Sequence, residues 1–493
     1  VLPPFAYDAL TYHLTAVASW VQSGRIGPNP YAACCARYPA NAEVLFAWPA
    51  IFLHRDTLVD AVQIVSALVG ALAIAGLARS AGVSRAGAAT GGSLFLLIPI
   101  VLTQSNTDYN DLTVAALFLA ALYFAVRFGV ERRLVHAGLA GAAAGLAFGT
   151  KTTGIGLAVA LAVGIVAAVG RRAAPGLAVF VVVVLLTGGW WYAKNWADTG
   201  NPVSPFRVRV LGTTIFKGNA RVHDYLTPAP SGSNAITQVA HAWFADLHFW
   251  TRNDYSYEER RGGLGPLWSW LGWPALAVAA VAALRRSRTL AATVVLPAAI
   301  AYAALPYRWW SRFTIYLAAL GVVAIVALLE QVDLRRFRAA AIAAVTGLAL
   351  AGGALATWRL DPAGFGRTLS ASDVVSLAAH PSQPRTTGAL FFHEYAWLKD
   401  APSNATVAVE LDAVPVRFIY PLFGAKLDRR IVLLLPGDEG RIEALVGRGR
   451  PAYLFVGQHG PFARWARARP RRFRPLEISR GTEAFRLTTI LST

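Results

Sequence analysis

The stretch "GTKTTGIGLAVALAVGIVAAVGRR" (Gly149–Arg172) decides the architecture. Gly154–Gly170 carries no charge, with Lys151 before it and Arg171 and Arg172 after it. A helix of about 17–25 apolar residues crosses the ~30 Å hydrocarbon core of a bilayer. The stretch therefore reads as a transmembrane helix, basic at both ends and more so at the second. The pattern recurs along a chain of 493 residues that is 55% hydrophobic and only 15% charged, with a mean hydropathy of +0.45. A soluble chain of this length needs far more surface charge. The ~10-residue alternation of a membrane β-barrel is absent, which leaves a polytopic α-helical membrane protein.

About ten membrane helices are expected: Leu58–Ala78, Ala86–Thr103, Leu112–Phe128, Val135–Gly149, Gly154–Gly170, Pro175–Tyr192, Leu264–Leu284, Leu290–Pro306, Phe313–Leu329 and Ala339–Thr357. Their Gly/Ala content suits close helix packing. Alternate connections carry Arg79 and Arg85; Arg127, Arg132 and Arg133; Arg171 and Arg172; Arg285, Arg286 and Arg288; Arg335, Arg336 and Arg338. Basic loops stay in the cytoplasm, so this side is read as cytoplasmic. The net charge of +19 then reflects loop arginines and a basic C-terminal region facing anionic lipid, and nucleic acid is not expected as a partner. The opposite, external face receives residues 1–56, Gln104–Asp111, Gly149–Gly154, the long loop 193–263, Pro306–Arg312 and the tail. The chain has no methionine and opens in loop-like sequence, so an eleventh helix ahead of Val1 is expected. No signal peptide is visible.

Residues 1–357 read as the transmembrane domain. Within its first loop, Leu10, Leu14, Val17 and Val21 recur at helical spacing and mark an amphipathic interfacial helix ended by Gly24. Tyr38–Leu53 reads as a second interfacial or re-entrant helix. Residues 358–493 contain "ATVAVEL", "RIVLLLP", "PAYLFVG" and "AFRLTTI", short β-type runs with a helical stretch "DEGRIEALVGRG" among them. They read as a small extracytoplasmic α/β domain. The adjacent Cys34 and Cys35 exclude a disulfide framework and read as two free thiols in a loop, with a strained vicinal bridge as the alternative.

Several residues could carry chemistry. Asp8 has two readings: the N-cap of the helix that follows it, or a general base on an acceptor hydroxyl at the membrane boundary. Tyr12 and His13 lie one helical turn later. In "TDYND", Asn110 or Asp111 could cap the next helix, or Asp108 could share a cavity with Asp8, two carboxylates on one face that could bind a sugar or a metal. Lys151, Lys194, Arg308 and Arg312 stand at external helix ends. They either snorkel to headgroups or hold an anionic lipid phosphate. Trp190, Trp191, Trp196, Trp250, Trp309 and Trp310 suggest an external aromatic belt. His241, Asp246 and His248 match no zinc spacing, and no metal site is expected.

The order of these motifs carries a resemblance. Asp8 with "YHL" is followed by Tyr38–Pro49 ("YP…E…AWP", containing Glu43) and a "Q…D" turn (Gln104–Asp111). "GLAFGTKTTG" (Gly145–Gly154), "KNWADTGNPVSP" (Lys194–Pro205) and "RFTIYL" (Arg312–Leu317) complete the series. This resembles bacterial integral-membrane glycosyltransferases of the GT-C superfamily, in the branch of the protein O-mannosyltransferases and the lipid A aminoarabinose transferase. The resemblance implies a polyprenyl-phosphate sugar donor, an envelope glycan, lipid or protein acceptor, and an inverting transfer outside the cytoplasmic membrane. It places the acceptor-activating carboxylate on Asp8. It places the second acidic position, supporting or sugar-binding, on Asp108 or Asp111, and donor-phosphate binding on Lys151 and Arg312. Tyr12, His13 and Glu43 are further sugar-binding candidates, and Lys194 and Arg308 further phosphate-binding ones. Members commonly carry two adjacent acidic residues where this chain has Asp8 then Ala9, so metal-independent transfer without a cofactor is expected. The rival readings are a transporter or flippase for lipid-linked saccharides, a glycan polymerase or ligase, and a membrane scaffold.

Overall fold

Each of the ten expected apolar segments is helical in the computed structural model, which describes residues 2–32, 35–220, 234–252, 255–258, 262–331, 335–360, 369–380, 386, 390–410, 418–446, 450–479 and 481–488. Among the described residues, Ala61–Ser80, Asp111–Glu131, Gly154–Gly188, Gly265–Arg286 and Phe337–Trp358 are long and apolar enough to cross a membrane. Asn41–Leu53, Leu134–Phe148, Arg288–Ala304 and Ile315–Glu330 are shorter apolar helices. The protein is a polytopic α-helical membrane protein with a small C-terminal sheet.

Local chemistry explains where the helices break. Gly154–Gly188 is two helices, Gly154–Val169 and Ala174–Gly188, because Gly170 adopts a positive φ of 64° that ends the first. The segment expected as one helix over Ala86–Thr103 divides into Arg85–Leu96 and Pro99–Gln104. Pro99 has no N–H to continue the first ladder but fits the first turn of the next helix.

The chain divides into two compact units, one formed by Val1–Ala36, Glu43–Asp60 and Asp361–Thr493, the other by Arg37–Ala42 and Ala61–Leu360. In the helical unit, glycines set helix direction. A Cβ on Gly141 would lie 2.6 Å from the Phe180 carbonyl and one on Gly145 2.7 Å from the Val184 carbonyl, so Leu134–Phe148 and Ala174–Gly188 run parallel in close contact. Gly91 and Gly92 face Ile74 and Ala71, which makes Arg85–Leu96 antiparallel to Ala61–Ser80. Gly156 faces Ala304 while Gly164 faces Pro297, which sets Gly154–Val169 against Arg288–Ala304 in the same antiparallel way. These directions agree with the alternation read from the loop arginines, and they bring Gln104–Asp111, Gly149–Gly154 and Pro306–Arg312 to one end.

The other unit joins the opening segment to the tail. Its five-stranded sheet contains β1 (Thr406–Glu410), β2 (Arg430–Leu434), β3 (Ala452–Gly457), β4 (Phe473–Ser479) and β5 (Thr482–Leu487), in the order β2-β1-β3-β5-β4. β1 is parallel to β2 and β3, and β5 is antiparallel to β3 and β4. The edge strand β4 was not expected, because Pro475 and its neighbouring arginines hide it. Proline is tolerated at an edge, and the ladder shifts register beside it. The first loop packs on the tail's aromatic segment: Phe5 lies against Phe391 with centroids 4.9 Å apart, Tyr7 edge-on to Phe418 at 5.6 Å, and Tyr31 against Phe423 at 5.1 Å. Gln22 Nε2 donates to the carbonyls of Leu427 and Arg429 at 2.8 and 2.7 Å. Tyr420 OH donates to Asp56 Oδ2 at 3.0 Å. Cys35 is disulfide-bonded, which corrects the expectation of two free thiols, and Cys34 lies outside the described residues.

Two outcomes follow from this packing. Gly141→Val should force apart the helices Leu134–Phe148 and Ala174–Gly188 and cost about 1–3 kcal/mol, read as a lowered melting temperature in detergent. Burial raises the Asp56 carboxyl above its ordinary value of 3.8. A raised folded-state value contributes stability at pH below the ordinary one, and that contribution is lost as pH rises through the folded value. Asp56→Asn keeps an acceptor oxygen for Tyr420 but cannot ionise. Its melting temperature relative to wild type should therefore climb as pH rises from about 4; a constant difference contradicts this.

Candidate functional site

The helical unit gathers four charged side chains from four segments. Asp111 opens the helix Asp111–Glu131 and is buried. The polar N-terminus of a helix favours a carboxylate there. Lys151, from the turn Gly149–Gly154, pairs with Asp111 Oδ1. Arg312, from the turn after Pro306, places Nη1 3.6 Å from Asp111 Oδ2 and 3.2 Å from Glu258 Oε2. Tyr109 OH donates to the same Glu258 oxygen at 2.6 Å. Among the described residues these pairs set two carboxylates against two cations in a nearly dry place, where buried charges persist only when paired.

Aromatic rings surround the cations. The Arg312 guanidinium lies 4.3 Å from the Trp310 ring centroid, 4.8 Å from Phe313 and 5.0 Å from Tyr109. Lys151 Nζ lies 4.7 Å from the Phe313 centroid. Cation–π contact of this kind holds a guanidinium in a fixed plane. Backbone bonds fasten the frame: Gln104 Nε2 donates to the Tyr257 carbonyl at 2.9 Å, and Trp310 Nε1 to the Glu258 carbonyl at 3.4 Å. Asp108 is buried in the turn beside these residues.

Asp111, Lys151 and Arg312 were expected from the sequence, and the structure brings them together. Glu258, Tyr109 and Phe313 were not singled out. Glu258 lies in "YSYEERR" within the long loop, where an acidic residue among aromatics was the only signal. Arg308 is half-buried in the same turn as Arg312. Lys194 instead bonds Asp198 at 3.1 Å on its own helix, and Arg37 reaches the same oxygen at 2.8 Å. Arg37 first, then Lys194, holds the Asp198 carboxyl below its usual range. The tryptophans divide: Trp190, Trp196 and Trp250 are exposed as a belt requires, whereas Trp191 and Trp310 are buried. Asp246 spends Oδ2 on the N–H groups of Gly263 and Gly265, at 3.0 and 2.9 Å. Among the described residues, no group of three His, Cys, Asp or Glu side chains is placed to hold a metal ion.

The remaining candidates lie in the other unit. Asp8 is half-buried, has helical dihedral angles and makes no side-chain cap bond, so the capping reading fails. His13 and Glu43 are both buried and hydrogen-bond through Nδ1 and Oε1, tying the first helix to Asn41–Leu53. The Tyr12 ring lies against His13, with centroids 4.1 Å apart.

The fold is shared with solved structures of another protein. In particular, the chain is similar to the crystal structure of ArnT from Cupriavidus metallidurans bound to undecaprenyl phosphate. The TM-score is 0.58 at 16% identity, covering 100% of this chain and 95% of that one. The apo state of the same ArnT gives 0.56 at 15% identity, over 98% and 94% of the two chains. No family model matches the chain, and no curated protein matches it by sequence.

Among the described residues, removing Asp111 leaves half-buried Lys151 without its counter-charge and buried Arg312 with Glu258 alone. Asp111→Ala should cost about 3–5 kcal/mol of stability. Adding Lys151→Met should recover part of that loss. Thermal unfolding of the single and double variants checks both, and a double variant no more stable than Asp111→Ala contradicts the pairing.

Proposed function

We propose that the protein transfers a sugar from a polyprenyl-phosphate donor to an acceptor hydroxyl or amine at the external face of the cytoplasmic membrane. The observation that carries this reading is the meeting of Lys151 and Arg312 around Asp111 and Glu258, at the end of the helices away from the arginine-rich loops. The same fold in ArnT is found with undecaprenyl phosphate bound. A donor of this type needs its phosphate held and its developing charge stabilised as the glycosidic bond breaks. Lys151 and Arg312 suit that role, since a guanidinium matches phosphate oxygens in a fork. The carboxylates of Asp111 and Glu258 keep both cations in place before the lipid arrives.

Asp8 is the proposed general base. It withdraws the acceptor proton as the acceptor attacks the anomeric carbon and the lipid phosphate departs. A single displacement inverts that carbon. The position of this half-buried residue, in the first loop at the start of the turn Ala9–His13, supports the assignment.

The test incubates the purified chain with a panel of undecaprenyl-phosphate-linked pentoses and hexoses and follows sugar release and transfer. Asp8→Asn should lower turnover by about 10²–10⁴-fold while leaving undecaprenyl phosphate binding intact. Arg312→Lys should weaken that binding. Full activity in Asp8→Asn removes Asp8 as base, and a donor bound specifically without turnover points to transport.

A further inference from the structure

Asp8 stands at the start of an irregular helical turn. Over Ala9–His13 the backbone is a π-turn, in which the Leu14 N–H reaches back to the Ala9 carbonyl, and regular α-helix resumes over Leu14–Ser23. A π-turn fits one extra residue into a helix. One residue of α-helix corresponds to about 100° of rotation and 1.5 Å of rise. The turn therefore sets the direction in which Asp8 leaves the helix. Were it to relax into regular α-helix, Asp8 would face elsewhere.

A π-turn is rare, and it persists where its surroundings hold it. Here the holding groups can be named. Thr11 Oγ1 donates to the Tyr7 carbonyl at 2.9 Å, and Thr15 Oγ1 to the Thr11 carbonyl at 3.0 Å. The buried Asn29 donates from Nδ2 to the Tyr12 carbonyl at 2.9 Å and to Thr15 Oγ1 at 2.8 Å. Asn29 is itself fixed, with its N–H on the Ala36 carbonyl at 2.8 Å and its Oδ1 accepting from the Tyr31 N–H at 3.0 Å. The last residue of the turn, His13, is tied to Glu43. Two apolar side chains could fill that buried space at no greater cost. What the His13–Glu43 pair adds is direction, because a hydrogen bond fixes the rotation of the turn and packing alone does not.

We propose that Glu43, His13 and Asn29 are positioning residues that hold the π-turn and so aim the Asp8 carboxylate. This rests on the reading of Asp8 as general base. The experiment uses the full chain in detergent with phospholipid, the undecaprenyl-phosphate sugar that turns over in the panel above, and undecaprenyl phosphate alone as the binding probe. Glu43→Ala should lower kcat by about 10–100-fold, as misplacement of a reacting group does, with KM for the donor and Kd for undecaprenyl phosphate unchanged. Glu43→Gln, which keeps an acceptor oxygen for His13, should recover most of that kcat. Amide hydrogen exchange over Ala9–Thr15 should quicken in Glu43→Ala and not in Glu43→Gln. In an Asp8→Asn background, Glu43→Ala should cost nothing further.

Unchanged kcat and exchange in Glu43→Ala overturn the proposal. So does an equal loss in both backgrounds, which makes Glu43 a general support of the fold. Should Glu43→Ala not fold, Asn29→Ala must give the same kcat loss and exchange signature or the proposal falls. If Asp8→Asn alone keeps full activity, the base reading fails. Exchange over Ala9–Thr15 then still reports separately whether Glu43 holds the turn.

Discussion

The ion network of Asp111, Lys151, Arg312 and Glu258 is the constraint on which one end of the helical unit depends. Charged groups at the edge of hydrocarbon are costly unless each finds an opposite charge. Four segments far apart in sequence must meet to satisfy them: Lys151 lies 40 residues from Asp111, and Glu258 lies 54 residues from Arg312. The requirement acts as a positional rule. It pins the start of one membrane helix, two interhelical turns and part of the long loop to each other. The aromatic rings around Arg312 then limit the planes its guanidinium can adopt.

The unit that contains Asp8 is organised on a different principle. Its opening segment supplies aromatic and polar groups that the tail's residues near Phe391, Phe418, Tyr420, Phe423 and Leu427 complete. A tail read from sequence as a separate appendage therefore shares a compact unit with the first loop. Short amphipathic helices rarely persist alone. The first helix gains its fixed conformation from aromatic contacts, the His13–Glu43 bond and the Asn29 bridge.

Much of the architecture was legible because it is written locally. Hydropathy and loop arginines identify membrane helices residue by residue, and all ten expected segments are helical. Four of the five strands of the C-terminal sheet were visible as apolar β-type runs. Edge strand β4 was not, since Pro475 and the arginines around it disguise its pattern. The site was legible in part. Asp111, Lys151 and Arg312 stood out because charge beside an apolar run is conspicuous. Glu258 sat in a polar loop, where a carboxylate draws no notice. Trp310 was assigned to a surface belt, but it lies buried near Arg312, a placement that aromatic content cannot foretell.

What the sequence by itself determined is the class of molecule, the order and direction of its helices, and which turns share a face. These follow from the free energy of placing each residue in hydrocarbon or water, a property of short windows. Only the tertiary structure decided which carboxylate meets which cation, that Asp8 is not a cap, and that His13 finds Glu43 across a π-turn. Those outcomes depend on the distances and orientations of side chains far apart in sequence, and no local window contains them.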